Sequence, residues 1–308
     1  MTKILVTGGA GFIGSHVADS LISSGHDVVI LDDLSTGFKE NVNDKARFYQ
    51  MDIRSPEVEK ILEQGKFDVL CHHAAQVDLR KSMREPVQDA EINILGSLKL
   101  IFYCLKYDVK KIIFPSSAGV YGEQDYFPAK ETHPLRPVSP YAMAKLVVEK
   151  YLEFYHRSRG LDYVIFRYSN VYGPRQIPKG EAGVVGIFCE NLLNDQEAKI
   201  YGDGKQTRDF VFIEDVVKAN ALALDYNESG IFNIGTSLET DINRIFDLIR
   251  EKVGSNQEEI HAPAIPGEQK RSALDVSNAK MMLGWQPEYT LEKGIQKTIR
   301  FYKGRFNR

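Results

Sequence analysis

A glycine-rich turn between a buried strand and an amphipathic helix restricts this chain more than any other feature. Lys3-Ile4-Leu5-Val6 reads as a parallel strand, Thr7-Gly8-Gly9-Ala10-Gly11-Phe12-Ile13-Gly14 follows directly, and a helix runs from Ser15 to Ser23. Gly9, Gly11 and Gly14 satisfy G-x-G-x-x-G in the setting that gives the spacing meaning. Glycine permits a tight turn and close approach to a pyrophosphate, whose charge then rests on the helix N-terminus. Gly8, Phe12 and Ile13 belong to the same predicted cradle. A second apolar run, Asp27 to Leu31, ends in Asp32, about twenty residues past the loop. A carboxylate there accepts a hydrogen bond from a ribose 2′-hydroxyl and repels a 2′-phosphate, so the sequence predicts NAD and not NADP.

Strand-like runs then alternate with helical ones: Arg47–Met51, Phe67–Cys71, Lys111–Phe114 and Tyr163–Phe166 with helices near Pro56–Gln64, Pro86–Tyr107 and Pro140–Arg159. That rhythm predicts an α/β fold, a doubly wound parallel (Rossmann) sheet covered on both faces. It breaks after Arg167. Residues Tyr172–Lys205 are rich in glycine and proline, Phe210–Phe212 and Ile231–Ile234 resemble strands around a helix from Asp215 to Asp225, and the last seventy residues read as helix and loop. The expected division is a dinucleotide-binding domain over 1–167, with return segments near 209–235, and a smaller, discontinuous substrate domain over 168–308. The second would close over the carboxyl ends of the strands, where such sheets bind ligands.

The chain's 308 residues are enough for a full core and a second domain. A hydrophobic share of 43% and a charged share of 26% are those of a soluble globular protein. A net charge of −3 leaves no electrostatic footprint for nucleic acid or an acidic membrane. Cys71, Cys104 and Cys189 show no metal spacing, so no metal is expected, and they suit a reducing compartment. With a first strand at residue 3 and no run long enough to span a bilayer, the expectation is a cytoplasmic protein.

Tyr141-x-x-x-Lys145 is uninformative alone, because 15 tyrosines yield four other such pairs here. Context separates them. Tyr126/Lys130 contains a proline, Tyr201/Lys205 contains two glycines, and Tyr107/Lys111 straddles a helix end; Tyr289/Lys293 lies far from the cofactor half. Tyr141 follows Ser139-Pro140, a helix-start signal, so Tyr141 and Lys145 fall one turn apart on one face. The helix comes shortly after Phe114-Pro115-Ser116-Ser117-Ala118, at the ligand edge of the sheet. A phenol there works as a general base only if its pKa falls from about 10 toward 7, with a lysine and a cationic nicotinamide supplying the favourable charge. Ser117 is placed to bond the same substrate oxygen.

Four segments carry a resemblance: the loop at Thr7–Gly14, Ser116-Ser117-Ala118-Gly119-Val120-Tyr121-Gly122, Ser139–Lys145, and Arg167-Tyr168-Ser169-Asn170-Val171-Tyr172-Gly173-Pro174-Arg175. Together they resemble the extended short-chain dehydrogenase/reductase family, in its nucleotide-sugar epimerase and dehydratase branch, most like the UDP-sugar 4-epimerases. The resemblance continues through Gly202 to Phe210. It implies that Tyr141 takes the proton of the sugar 4-hydroxyl while C4 passes a hydride to tightly held NAD, which is regenerated when the 4-keto sugar receives hydride on its other face. Lys145 would also hold the nicotinamide ribose. Asp52 and Ile53 would flank the adenine; Ala74, Ala75, Gln76 and Asn93 would line the cofactor. Asn170, Val185, Tyr201 and Arg208 would hold nucleotide and diphosphate. A guanidinium between a glycine turn and a strand is suited to clamp phosphate; otherwise Arg208 and Asp209 are ordinary surface charges.

Within that branch, 4,6-dehydratases usually carry an Asp-Glu pair after the strand, and glucuronate decarboxylases a glutamate after the serine or threonine. Here the stretch is Ser117-Ala118-Gly119, which favours epimerisation. A 4-keto-sugar reductase and a UDP-glucuronate 4-epimerase are the nearest alternatives, Arg80, Arg84 and Arg271 being available to a glucuronate carboxylate. A non-catalytic NAD-binding regulator is remote, since Ser117, Tyr141 and Lys145 are all kept. Aligning Pro263–Glu268 with the family's Arg-x-Gly-Asp segment puts Ile265 where a diphosphate-binding arginine is usual, leaving Lys270 or Arg271 to substitute. Ser272 falls where a bulky tyrosine excludes N-acetylated sugars, so UDP-GlcNAc and UDP-GalNAc are expected substrates beside UDP-Glc and UDP-Gal. The resemblance also suggests a homodimer through the helices near Asp89–Tyr103 and Tyr141–Tyr155, forming a four-helix bundle.

Overall fold

A computed structural model describes residues 1–178, 183–265 and 269–306. In chain order the first elements are β1 (Lys3–Thr7), α1 (Phe12–Ser23), β2 (Asp27–Asp32), β3 (Arg47–Gln50), α2 (Val58–Gly65), β4 (Val69–His72), α3 (Leu79–Arg84), α4 (Pro86–Ala90), α5 (Ser97–Lys106), β5 (Lys111–Ser117), α6 (Pro140–Arg159) and β6 (Asp162–Tyr168). Then follow β7 (Asn170–Tyr172), α7 (Val184–Leu193), β8 (Lys199–Tyr201), β9 (Thr207–Arg208), β10 (Phe210–Phe212), α8 (Ile213–Asp225) and β11 (Gly230–Ile234). The chain ends with β12 (Thr240–Asp241), α9 (Ile242–Val253), β13 (Ile260–Ala262), α10 (Ser277–Leu283) and α11 (Leu291–Phe306).

The sheet has seven strands in the order β3-β2-β1-β4-β5-β6-β11. β1 pairs in parallel with both β2 and β4, β2 with β3, and β4 with β5. Ile4, Leu5 and Val6 are fully buried, as a strand covered by helices on both faces requires. The strand order reverses between β1 and β4, and the crevice beyond the carboxyl ends at such a switch point is where doubly wound sheets hold ligands.

The backbone clusters into two compact units. The first comprises Met1–Val120, Pro137–Arg167 and Val217–Phe232; the second comprises Tyr121–Arg136, Tyr168–Val216 and Asn233–Arg308. Residues Tyr121–Arg136 thus group with the second unit, where the sequence reading ran the first unbroken to residue 167. Within the first unit, Lys111 on β5 donates to the carbonyls of Ala223, Leu224 and Tyr226, closing the C-terminus of α8.

Two expectations and one alternative reading need correction. The helix expected over Pro86–Tyr107 is interrupted by a π-helical turn at Glu91–Gly96, which turns the Asn93 side chain back onto the loop after β4. The last seventy residues include the short strands β12 and β13, which pair with β9 and β8. Asp209 is not a surface charge: it is fully buried, accepting from the amides of Thr236, Ser237 and Leu274 and from the Thr236 hydroxyl.

Candidate functional site

In the first unit the glycine loop is shaped by its neighbours. Gly8 has φ +69°, and a Cβ on it would meet the Ala74 amide nitrogen at 2.5 Å, so the chain leaving β4 passes directly behind the loop. A Cβ on Gly14 would strike the Gly8 carbonyl oxygen at 2.2 Å, closing the turn onto α1. Gly11 differs, since a Cβ there would meet only the Gly8 carbonyl at 3.2 Å. Gly11 is also the N-cap of α1, with no side-chain cap and no acidic residue in the first turn. The opening amides of Phe12, Ile13 and Gly14 therefore face an open side that an anion can fill.

Asp32 ends β2 beside this loop. It is buried, and its carboxylate accepts from the amides of Ala10 at 3.0 Å and Leu34 at 2.8 Å. Burial raises its pKa, against the lowering effect of those two bonds. A carboxylate fixed one loop away from an uncapped helix N-terminus is the donor and acceptor set a dinucleotide needs, so the residues present fit NAD.

Across the switch point, Gln76 and Asn93 exchange two bonds: the Gln76 amide donates to Asn93 Oδ1 at 2.9 Å and Asn93 Nδ2 to the Gln76 carbonyl at 2.9 Å. Both side-chain amides also donate to Asp89 Oδ1 at 3.0 Å. Ala74 and Ala75 lie in the segment this clasp holds, and the Ala74 amide donates to Thr7 Oγ1. Ile53 packs in the core beneath the π-turn, where a Cβ on Gly96 would meet its Cδ1 at 2.8 Å. Asp52 is held by Arg54 through Nε and Nη2, and that charged bond lowers its pKa.

Ser139 caps α6, its hydroxyl accepting from the Ala142 amide, with Pro140 in the first turn; Gly160 ends the helix in a left-handed conformation. Tyr141 and Lys145 fall on one face of it. Lys145 is 5% exposed and its Nζ donates to the Pro115 carbonyl at 2.8 Å. The same nitrogen stands 4.7 Å from the Phe114 ring centre and 5.8 Å from that of Tyr141. Burial pulls Lys145 down to about 8, while Asp89 and Glu149 pull it back up. Burial pushes the Tyr141 phenol upward and Asp89 adds to it, the opposite direction from the lowering expected of a general base. The protein's own groups therefore leave Tyr141 protonated, and its ionisation needs positive charge brought alongside. Ser117 Oγ accepts from the Gly119 amide at 3.1 Å.

The remaining candidates lie in the second unit. β12 pairs antiparallel with β9, placing Thr240 opposite Arg208. Glu239, just before β12, accepts from Thr207 Oγ1 at 2.6 Å and from both Nε and Nη2 of Arg271, so Arg208 and Arg271 are brought to one corner. The Arg271 guanidinium also lies 4.0 Å from the centre of the Phe127 ring. Tyr201 ends β8 and is exposed, Asn170 opens β7, Val185 is buried in α7, and Ser272 is 3% exposed. Pro266–Glu268, on which the Arg-x-Gly-Asp alignment partly rests, lie outside the described residues. Sequence reasoning passed over Glu239, Asp89 and Glu149. Glu149 left a readable signal, a carboxylate one turn beyond Lys145 on the inward face of α6.

A reversed strand order, an uncapped helix behind a glycine loop and a buried acid at the end of β2 define a Rossmann-type dinucleotide-binding protein, here with a tyrosine–lysine pair at the same sheet edge. The chain belongs to the NAD dependent epimerase/dehydratase family, whose model matches residues 4–235. A protein of Methanocaldococcus jannaschii described as a putative UDP-glucose 4-epimerase is 48% identical to it over 301 residues, 97% of this chain and 98% of its own. The UDP-glucose 4-epimerase of Thermotoga maritima, solved with UDP-glucose, is 46% identical with a TM-score of 0.97 and 99% of each chain covered. The UDP-N-acetylglucosamine 4-epimerase of Methanobrevibacter ruminantium, solved with UDP-N-acetylmuramic acid, is 37% identical with a TM-score of 0.94, again over 99% of each chain.

Proposed function

We infer that this chain is an NAD-dependent UDP-sugar 4-epimerase, interconverting UDP-glucose with UDP-galactose and UDP-N-acetylglucosamine with UDP-N-acetylgalactosamine. The observation that carries the reading is the Tyr141–Lys145 pair on α6 at the carboxyl edge of β5, in a chain 46% identical over nearly its full length to a UDP-glucose 4-epimerase. NAD, when bound, supplies the acceptor and later the donor of the C4 hydride. Gly8, Gly11 and the amides of Phe12, Ile13 and Gly14 seat its pyrophosphate, and Asp32 takes the adenosine ribose. Asp52 and Ile53 border the adenine, while Ala74, Ala75, Gln76 and Asn93 line the opposite wall.

Tyr141 Oη removes the proton of the sugar 4-hydroxyl and returns it after the 4-keto sugar has presented its other face. The Lys145 ammonium supports the phenolate electrostatically, and the Pro115 carbonyl keeps that ammonium at the sheet edge. Ser117 bonds the same sugar oxygen. Arg208 and Arg271 hold the diphosphate, with Asn170, Val185 and Tyr201 around the nucleotide; Glu239 orients Arg271, which takes the part of the arginine missing at Ile265. Ser272, small where a tyrosine would exclude a 2-acetamido group, is what favours the N-acetyl sugars as a second substrate pair. Ser272→Tyr abolishes that activity and spares the plain hexose.

A homodimer is part of the same proposal. Leu95, Phe102, Met143, Tyr151 and Phe154 leave large apolar side chains exposed on the π-turn, α5 and α6, more than a monomer leaves on adjoining helices. Paired across a two-fold axis, α5 and α6 of two copies make a four-helix bundle.

The test is to incubate the purified protein, with no added nucleotide, with UDP-glucose, UDP-N-acetylglucosamine and UDP-glucuronate separately and follow the sugar C4 protons by NMR. Conversion of the first two to their C4 epimers is the expected result. Absence of any epimer from a protein that carries NAD contradicts the reading, and conversion of the glucuronate alone reassigns the substrate.

A further inference from the structure

Tyr141, Lys145 and Glu149 form one inward stripe of α6, each a turn from the next. Two consecutive residues near the end of β5 answer it. The Pro115 carbonyl accepts from Lys145, and the Ser116 hydroxyl donates to Glu149 Oε1 at 2.5 Å. The next residue, Ser117, accepts from the Gly119 amide through its hydroxyl. Behind them, Arg167 on β6 donates to Glu149 Oε1 from Nε at 3.1 Å and to Oε2 from Nη2 at 2.6 Å. Arg167 is 2% exposed and Glu149 is fully buried.

A charge pair so deep is not explained by stability. Desolvating both ions offsets most of their attraction, and apolar side chains of similar volume often serve the fold as well. What the pair does supply is direction. A bidentate guanidinium fixes the carboxylate plane, and the fixed carboxylate holds Ser116 in one orientation between the Lys145 anchor and the candidate substrate contact.

We propose that Glu149 and Arg167 are positioning residues for the reaction, acting through Ser116 to lock the end of β5 onto α6 and so to set where Lys145 and Ser117 stand relative to Tyr141. This rests on the epimerase reading above. The charged and titratable groups facing Lys145 are Asp89 from α4, Glu149 and Tyr141 on α6 itself, and His72 and His73 at the end of β4. Both histidines are held neutral by burial, so Asp89 and Glu149 are the groups that favour the ammonium. Removing Glu149 moves loss of the Lys145 proton to lower pH.

Two variants test this. Ser116→Ala cuts the link between the pair and β5 and leaves the pair intact. Glu149→Met with Arg167→Met replaces both ions by side chains of similar length, avoiding the lone buried charge that either single change leaves. For Ser116→Ala the expected result is a fall in kcat on the order of ten- to a hundred-fold, the scale of a sub-ångström to ångström misplacement, with KM and bound NAD within two-fold of the parent. The double variant is expected to melt near the parent temperature, lose kcat to at least the same extent, and show its alkaline limb at lower pH. Parental kcat in Ser116→Ala, or in a double variant that folds, overturns the proposal; where the double variant does not fold, Ser116→Ala decides alone. A readout free of turnover separates this from failure of the epimerase reading. The phenolate absorbance of Tyr141, isolated by subtracting Tyr141→Phe in the same background, is expected to titrate at higher pH in Ser116→Ala, and an unchanged titration overturns the proposal even if no sugar is epimerised.

Discussion

Lys145 reaches across from α6 to donate to the Pro115 carbonyl at 2.8 Å, tying the second turn of its helix to the carboxyl end of β5. That bond holds a buried ammonium within one helical turn of Tyr141.

Tyr141→Phe keeps the ring and removes the proton carrier. Turnover of UDP-glucose is expected to fall about 10³-fold, the middle of the range for loss of a general acid–base group, while NAD stays bound. Released nucleotide after denaturation and the NMR epimerisation assay check the two halves separately.

Because burial brings Lys145 down to about 8, the ammonium that favours the Tyr141 phenolate is present below that pH and lost as pH rises through it. A kcat profile with an alkaline limb near pH 8 is the expected outcome. Lys145→Met removes the limb along with most of the activity.

Asp209 is a carboxylate whose folded pKa burial raises from 3.8 to about 6. The folded state then binds the proton more tightly than the unfolded chain, so the contribution is full below about pH 4 and lost as pH rises through 6. That is a swing on the order of 3 kcal/mol. Urea melts of the parent and Asp209→Asn are expected to diverge as pH falls from 7 to 4, the variant failing to gain that increment.

Lys111 satisfies three carbonyls at the end of α8 from a buried position. Lys111→Met leaves them without a donor and is expected to cost about 3 kcal/mol, read as a lowered denaturation midpoint with no change in the urea slope.

If α5 and α6 pair between copies, Phe102→Glu with Phe154→Glu places four carboxylates in the bundle. The expected sedimentation result is a parent of twice the chain mass and a variant of one chain mass, with the same circular dichroism.

The first half of the chain was readable because its signals are local. A glycine loop, apolar runs and the Ser139-Pro140 cap each specify backbone within a few residues, and α6 spans Pro140–Arg159 as the pattern predicts. The π-turn at Glu91–Gly96 was not readable, since it is set by Asn93 bonding to Gln76, a partner seventeen residues away. The short strands β8, β9, β12 and β13 likewise exist through pairing between distant segments and carry no two-residue alternation of useful length. At the site, Tyr141 and Lys145 were legible from context, a Ser139-Pro140 helix start shortly after the β5 segment, and not from a spacing that four other pairs share. The direction of the Tyr141 shift was not, because it depends on burial and on Asp89.

The most direct test of the central claim is epimerisation of UDP-glucose carrying deuterium at C4, in ordinary water with no added nucleotide. A hydride taken from C4 and returned to it on the other face predicts UDP-galactose with the deuterium still at C4. Deuterium washed out into solvent, or no galactose at all from NAD-loaded protein, contradicts the account.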